Sequence, residues 1–222
     1  MTSQLQILST KKLTYSQKDL FLKKKISVLD HDFIKIQLKV FVMEKPGDYF
    51  IFTSQNAVES VLRNNEINAL KKKKCFCVGE KTRELLMANQ FEVIAYSKNA
   101  SELSALICRE YSNSSFTFFC GNIRKADLPN TLRTAKIKLD EVEVYETLLT
   151  PYKIEVPPIA ILFFSPSGVY SYLKENKINE KQHCFCIGHS TAEALTHITS
   201  NSSIANSHTI ESTLMKCVAY YT

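Results

Sequence analysis

Two stretches of the chain, Tyr49–Leu62 (YFIFTSQNAVESVL) and Ala160–Leu173 (AILFFSPSGVYSYL), follow one pattern at an offset of 111 residues. In each, an apolar run ends at a serine, Ser54 or Ser165, and apolar residues then recur at helical spacing. A serine at this point can accept a hydrogen bond from the first turn of a helix. Both stretches therefore predict a strand, a tight turn and a helix.

A second pair of matching stretches follows in the same order, at 74–86 (KCFCVGEKTRELL) and 183–195 (HCFCIGHSTAEAL). Two ordered matches indicate that the chain consists of two related halves. A further strand and helix are predicted over 91–111 and again over 203–221. Strands that alternate with helices predict a parallel sheet with helices on both faces, so we expect an α/β fold with two similar domains.

Two segments lie outside this repeat, and each contains a stretch that alternates between apolar and polar residues with period two, Phe33–Val40 and Val142–Leu149. We expect these stretches to pair as a two-stranded β connector, a kind of ribbon that is flexible by itself. The N-terminal strand and helix then complete the C-terminal half. The predicted domains are 1–34 with 149–222 and 41–141, joined by 35–40 and 142–148, with a cleft between them.

The composition, with 45% apolar and 23% charged residues among 222, is that of a folded chain rather than a disordered one. Lysine runs at 23–25 and 71–74 contribute to the net charge of +6. Without a recognisable nucleic-acid module, we interpret these runs as solvated faces and expect no nucleic-acid partner. The longest apolar run, 159–164, is too short to cross a bilayer, which needs about 20 residues.

Seven cysteines in a chain whose N-terminus lacks a secretory pattern predict reduced thiols and a cytoplasmic location. The two Cys-Phe-Cys stretches, at 75–77 and 184–186, place both thiols of a pair on one face of a strand, where cysteine packs as a small apolar residue. Metal sites usually have a wider cysteine spacing and histidine partners. We therefore expect these cysteines in the core and no metal.

The turns that follow the strands are the candidate binding site, because ligands of open parallel sheets bind beyond the carboxyl ends of the strands. These turns are rich in hydroxyl, amide and glycine residues, at 53–56 and 79–82 in one half and at 165–168 and 188–191 in the other. Helix N-termini present unpaired N–H groups and favour anions. The same residues are also common as plain helix caps, but four such turns facing one cleft would favour an anionic ligand.

The chain resembles the uroporphyrinogen-III synthase family over nearly its full length. The resemblance rests on short motifs in a fixed order: FTSQNAV at 52–58, VGEKT at 78–82, CGNIR at 120–124 leading to Leu128-Pro129, Val144-Tyr145, FFSPSGV at 163–169 and IGHSTA at 187–192. In that family two α/β domains are joined by a β-ladder, and N-terminal residues belong to the C-terminal domain.

The resemblance implies a cyclising hydro-lyase of tetrapyrrole and haem biosynthesis. Its substrate would be hydroxymethylbilane, a linear tetrapyrrole with eight carboxylates, and its product uroporphyrinogen III with ring D reversed. It implies no metal or organic cofactor. We expect a monomer, no membrane partner, and transient contact with hydroxymethylbilane synthase, which makes the substrate.

The resemblance also gives roles to individual residues. Tyr145 matches the tyrosine thought to assist departure of the substrate hydroxyl, and Thr82 and Thr191 are further catalytic candidates. A Tyr in an alternating strand is also a common packing residue. The family's frequent threonine-arginine pair appears as Thr10-Lys11, which puts a bidentate clamp at this position in doubt. The predicted substrate-binding residues are Thr10, Lys11, Thr53, Ser54, Asn56, Gly121, Asn122, Arg124, Ser165, Ser167, Gly168 and Ser190.

Two other classes of protein share this architecture. A non-catalytic protein with two similar lobes could bind a small anion, because fold alone does not fix function. A glycosyl- or nucleotide-dependent transferase could also have two such lobes, each of the Rossmann-like kind. The five glycines of the chain are all isolated, at 47, 79, 121, 168 and 188, so neither glycine-rich phosphate-binding motif is present.

Overall fold

The computed structural model describes residues 5–43 and 45–222, which form two compact units. Unit 1 contains the described residues up to Lys35 together with Leu148–Thr222, and unit 2 contains the described residues of Ile36–Thr147. Of the predicted connector segments 35–40 and 142–148, residues 36–40 and 142–147 belong to unit 2, whereas Lys35 and Leu148 belong to unit 1.

The elements alternate between strand and helix through most of the chain. In chain order they are β1 (Gln6–Ser9), α1 (Tyr15–Leu22), β2 (Ser27–Asp30), β3 (Ile34–Leu38), β4 (Tyr49–Phe52), α2 (Gln55–Leu62), α3 (Ile67–Leu70), β5 (Cys75–Val78), α4 (Glu80–Ala88), β6 (Val93–Ser97), α5 (Ala100–Glu110), β7 (Ser115–Gly121), α6 (Asp127–Thr134), β8 (Lys138–Leu149), β9 (Ala160–Phe163), α7 (Pro166–Glu175), β10 (His183–Cys186), α8 (His189–Glu193), β11 (Ser202–Ile204) and α9 (Ile210–Tyr221).

The two sheets have the same topology over five strands. In unit 1 the order is β11-β10-β9-β1-β2, and in unit 2 it is β6-β5-β4-β7-β8, with β3 added beside β8. The pairings are parallel in the five-stranded sheet and across β6 to β8 of the other. The N-terminal β1-α1-β2 therefore occupies the place that β7-α6-β8 holds in unit 2, so the structural repeat extends further than the sequence repeat.

Apolar side chains alternate between the two faces of each sheet, as expected of strands buried on both sides. In β4, Phe50 and Phe52 pack on the face covered by α2 and α4, whereas Ile51 packs on the face covered by α5 and α6. In unit 1 the corresponding faces are covered by α7 with residues near α8, and by α1 with α9. Each unit therefore has its own two-sided core.

The paired cysteines lie in these cores, which confirms their interpretation as packing residues. Cys75 and Cys77 share one face of β5, and Cys184 and Cys186 share the equivalent face of β10. Burial raises the pKa of all four thiols to about 12. These thiols therefore stay protonated and unreactive near neutral pH.

The two alternating stretches predicted to pair are neighbours, but they are the edge of the six-stranded sheet rather than a separate ribbon. Strand β8 also pairs with β7 from Lys138 to Tyr145. Strand β2 was missed by the sequence analysis, because Ser27–Asp30 offers only two apolar residues after a lysine run. Within 5–43 and 45–222, none of the helices has the length and apolar character needed to cross a membrane.

Candidate active site

The turn from β4 to α2 in unit 2 is built by a serine cap. Ser54 has an extended backbone, and its Oγ accepts a hydrogen bond from the amide N–H of Asn56 at 3.2 Å. Thr53, Ser54 and Asn56 are half-buried at the carboxyl end of the strand. The remaining amide groups of this helical turn are available to an anion, as expected of a helix N-terminus.

The neighbouring turn from β5 to α4 is built by a glycine. Gly79 has a φ of +88°, a left-handed conformation that residues with a Cβ rarely adopt. Its amide donates to the carbonyl of Ser97 at the end of β6. Thr82, in the first turn of α4, is only 5% exposed. This catalytic candidate is nearly enclosed by its surroundings.

Tyr145 of β8 lies against the end of β7. A Cβ placed on Gly121 would be 2.5 Å from Cε2 and Cζ of the tyrosine ring and 3.0 Å from its hydroxyl oxygen. The backbone of the two strands is joined here by a hydrogen bond from the Asn122 amide to the Tyr145 carbonyl at 3.3 Å. The aromatic ring therefore covers the glycine directly.

The environment of Tyr145 keeps its phenol protonated. The side chain is 8% exposed and packs in the cluster that includes Phe119 and Val144. Burial raises the pKa of Tyr145 above its ordinary value near 10, and an interaction with the Ser54 side chain partly opposes that rise. Tyr145, Ser54 and Gly121 are thus brought together at the carboxyl edge of this sheet, and the phenol there can donate a proton.

Two predicted ligands beside Gly121 already have partners within the protein. The Asn122 carboxamide oxygen accepts hydrogen bonds from the amides of Thr147 at 2.8 Å and Ile123 at 2.9 Å. The Arg124 guanidinium forms an ion pair with Glu141, which also pairs with Arg133. Glu141 was not singled out in the sequence, because nothing in its neighbourhood shows that two arginines converge on it.

In unit 1 the equivalent turn, from β9 to α7, has the same serine cap. Ser165 is extended, and its Oγ accepts from the amide of Gly168 at 3.0 Å. Thr10, at the end of β1, is buried and donates its hydroxyl to the carbonyl of Leu162 at 2.8 Å. A Cβ on Gly168 would lie 3.4 Å from the Ser165 hydroxyl and 3.5 Å from that of Thr10. Thr10, Ser165 and Gly168 therefore form one group, with Ser167 buried in the first turn of α7.

The last turn, from β10 to α8, differs from its counterpart at Gly79. Gly188 is extended, and the His208 imidazole packs against it, since a Cβ there would lie 2.8 Å from Nε2. Thr191 is only 2% exposed, whereas Ser190 is exposed. His208 was missed by the sequence analysis because it follows β11, in a segment without a repeat motif. Lys11 lies exposed beside Thr10.

The polar groups of these turns are mainly hydrogen-bond donors. Across the described residues, no group of three or more His, Cys, Asp or Glu side chains is placed to hold a metal ion. The turns instead offer amide N–H groups, hydroxyls and a protonated phenol, which are donors suited to carboxylates.

Comparison with known proteins gives one consistent result. The structure superposes on uroporphyrinogen-III synthetase from Helicobacter pylori with a TM-score of 0.72 at 19% identity, covering 97% of this chain and 99% of that chain. A mutant uroporphyrinogen III synthase from the extremely thermophilic bacterium Thermus thermophilus gives a TM-score of 0.69 at 14% identity, with 98% and 100% coverage. These likenesses concern the fold.

The family is assigned by sequence. The family model described as "Uroporphyrinogen-III synthase HemD" matches residues 28–214, which is most of the chain. That range includes all the candidate residues except Thr10 and Lys11. The chain therefore belongs to the uroporphyrinogen-III synthase family.

Proposed function

We propose that this protein is a cyclising hydro-lyase that converts hydroxymethylbilane into uroporphyrinogen III, with loss of water and inversion of ring D. The observation that carries this proposal, beyond family membership, is a protonated and nearly buried phenol beside the serine-capped turn of unit 2. Such a group suits a reaction in which a hydroxyl must leave as water.

Each unit binds acetate and propionate groups of the substrate at its own strand-to-helix turns. The free amide groups in the first turn of α2 are the principal donors, because helix N-termini bind anions without needing many arginines. The first turn of α7 offers fewer, because Pro166 has no N–H and the Gly168 amide donates to Ser165. Lys11 adds a positive charge in unit 1. Asn122 and Arg124 act mainly through the residues they already contact, Thr147 and Glu141, and support the end of β7.

Tyr145 acts as the general acid. Its phenol donates a proton to the terminal hydroxymethyl group, the carbon–oxygen bond breaks, and water leaves an azafulvenium cation beside the Tyr145 phenolate. The substituted carbon of ring D attacks this cation to form a spirocyclic intermediate. The bond from that carbon to the methylene that joined it to ring C then breaks, the methylene bonds to the free α-carbon of ring D, and the proton lost from that carbon returns to the phenolate. Because hydroxymethylbilane also closes unaided to the unreversed isomer, holding the chain in the folded geometry is as important as the proton.

The protein acts as a monomer in the cytoplasm, needs no metal or organic cofactor, and receives its unstable substrate by transient contact with hydroxymethylbilane synthase. Thr82 and Thr191 support the first turns of α4 and α8, and their burial makes them weaker candidates for direct contact with the substrate.

The test supplies freshly made hydroxymethylbilane to the purified protein, oxidises the products and separates porphyrin isomers I and III by chromatography. We expect isomer III to predominate, while heat-inactivated protein leaves isomer I as the product. If the protein were only an anion-binding protein, it would bind the substrate but leave the isomer ratio of the spontaneous reaction unchanged.

A further inference from the structure

Tyr145 lies at an irregularity in the pairing of β7 with β8. The register advances one residue against one from Ser115 and Lys138 as far as Cys120 and Glu143, but the next pair is Gly121 with Tyr145. Val144 is therefore an extra residue on β8, as in a β-bulge. Bulges of this kind redirect side chains and are frequent beside active sites.

The extra residue decides which face of the sheet Tyr145 occupies. In a regular strand, side chains alternate, so Tyr145 would lie on the same face as Leu139, under α5 and α6. Instead, Val144 and Tyr145 both pack in the cluster on the α2 face, whereas Leu139 packs on the opposite face. Only with the bulge does the phenol reach the side of the sheet where Ser54 caps α2.

Two contacts hold the bulge in place. The carbonyl of Val144 accepts hydrogen bonds from the buried Ser60 hydroxyl of α2 and from the Lys39 amide, the latter at 2.9 Å. On the other side, Gly121 leaves the space that the tyrosine ring fills. Gly79 is the one glycine with a positive φ among the described residues, so Gly121 is required for close approach and not for its backbone angle.

We infer that Gly121 and the bulge at Val144 form a positioning device for Tyr145. Gly121 is then a positioning residue, because the absence of a Cβ lets the Tyr145 ring lie directly against it and so sets where the hydroxyl is placed. This role differs from the carboxylate binding that the family resemblance implies for Gly121. The inference rests on the proposed function, because it assigns Gly121 a role through the general acid of that reaction.

The test compares kcat and KM for isomer III formation in four proteins: wild type, Gly121→Ala, Tyr145→Phe and the double variant. Gly121→Ala should lower kcat about 10²-fold by displacing the hydroxyl, since a misplacement of about 1 Å costs this much. Its KM should stay near the wild-type value. In the Tyr145→Phe background the same change should have almost no further effect on kcat, because the hydroxyl that it displaces is already absent.

Gly47→Ala is the matched control. A Cβ there would lie 2.8 Å from the backbone of Phe116, near the start of β7, so it creates similar crowding in the same unit at the opposite end of the strand. It should lower stability and leave kcat unchanged. A loss of kcat for Gly47→Ala equal to that for Gly121→Ala would overturn the inference, because crowding anywhere on β7 would then be enough.

Urea unfolding without substrate tests the contact itself. Gly121→Ala should lower the free energy of unfolding in the wild-type background and lower it much less in a Tyr145→Ala background, where the ring is gone. If Gly121→Ala does not fold but the double variant does, the result supports the inference equally. An equal loss in both backgrounds, or no folding in either, would overturn it. Wild-type protein that makes no excess isomer III would instead overturn the proposed function, which separates the two failures.

Discussion

The turn from β4 to α2 and the turn from β9 to α7 are both capped by a serine, but they have different neighbours. In both, an extended serine accepts a hydrogen bond from the first turn of its helix, Ser54 from Asn56 and Ser165 from Gly168. Beside Ser54 lies the phenol of Tyr145, whereas Thr10 lies in the group of Ser165. The repeat thus provides two serine-capped turns, and of these two only the turn in unit 2 has a candidate general acid next to it.

The difference originates on β8 and β2, which lie next but one to β4 and β9 in their sheets. The last pair of β7 with β8 is Gly121 with Tyr145, and the last pair of β1 with β2 is Ser9 with Asp30. Asp30 is already engaged, since its carboxylate accepts from the Leu13 amide and the Lys18 ammonium, each at 2.8 Å. Equivalent positions therefore have a structural carboxylate in unit 1 and a candidate general acid in unit 2.

The largest effect should come from removing the acid. Tyr145→Phe keeps the ring over Gly121 but loses the hydroxyl, so kcat for isomer III should fall about 10²-fold or more, the lower end for general acids. The counterpart Thr10→Val should lower kcat much less, because the Thr10 hydroxyl is engaged with the Leu162 carbonyl. Steady-state rates would reveal the asymmetry. A loss below about fivefold for Tyr145→Phe would remove it from this role.

Removing either serine cap should lower the stability of the protein equally, but the two changes should affect kcat unequally. Ser54→Ala and Ser165→Ala should each lower the free energy of unfolding by about 1 kcal/mol, the usual cost of losing a serine cap. Ser54→Ala should also reduce kcat, because Ser54 interacts with the Tyr145 phenol. Urea unfolding and steady-state kinetics on the same samples separate the effects. Asn99→Ala, which removes the cap of α5, is the control for stability alone; equal kcat for all three would contradict the expected asymmetry.

A smaller difference is expected between two cations at these turns. Lys11→Gln should raise KM about two- to fivefold, as expected when one exposed ionic contact is lost. Arg124→Gln should raise KM less, since its guanidinium is paired with Glu141. Added salt should raise the KM of the wild type and reduce its difference from Lys11→Gln, because exposed charges are screened. A KM independent of salt would show that carboxylate binding does not depend on these charges.

The smallest effect concerns the pH dependence of stability. At the start of β5, Lys74 is exposed and pairs with Glu92, but at the start of β10, His183 is 7% exposed and bonded to Ser203. Burial lowers the pKa of His183, against a weaker opposing effect of Asn201. As pH falls through about 6.5, the imidazole of His183 is therefore protonated in the unfolded chain before it is protonated in the folded protein. The free energy of unfolding consequently decreases below that pH, by at most about 1.4 kcal/mol per pH unit.

Variants separate this histidine from the others. His183→Gln should flatten the pH dependence of the free energy of unfolding between about pH 5 and 7. His197→Gln, at an exposed position, should leave the slope as in the wild type. Urea unfolding at about pH 5 and pH 7 measures how steeply the free energy of unfolding changes with pH. Identical slopes for wild type and His183→Gln would assign the acid sensitivity to another group.

The repeat, the fold class and the serine-capped turns could be predicted because each depends on local patterns. A serine between an apolar run and a helical pattern predicts its own cap, and the motifs around Ser54 and Ser165 carry that information in adjacent residues. The Cys-Phe-Cys stretches likewise show their burial by alternation with apolar neighbours.

The bulge at Val144 was not predicted, although the adjacent residues Val144 and Tyr145 interrupt the alternation of Val142–Leu149 in the sequence. A register shift is a property of two paired strands, and only the pairing with β7 reveals it. The ion pair of Arg124 with Glu141 and the contact of His208 with Gly188 also join residues that are distant in sequence. The sequence therefore predicted the serine-capped turns better than the contacts that support Tyr145.

The most direct measurement is the fraction of isomer III formed as increasing amounts of purified protein are added to a fixed amount of hydroxymethylbilane. Catalysed and spontaneous closure compete for the same molecules, so the fraction should rise from almost none toward nearly all as protein increases. For Tyr145→Phe the same curve should shift to about 10²-fold more protein. A fraction of isomer III that stays at the spontaneous level at every protein concentration would contradict the account.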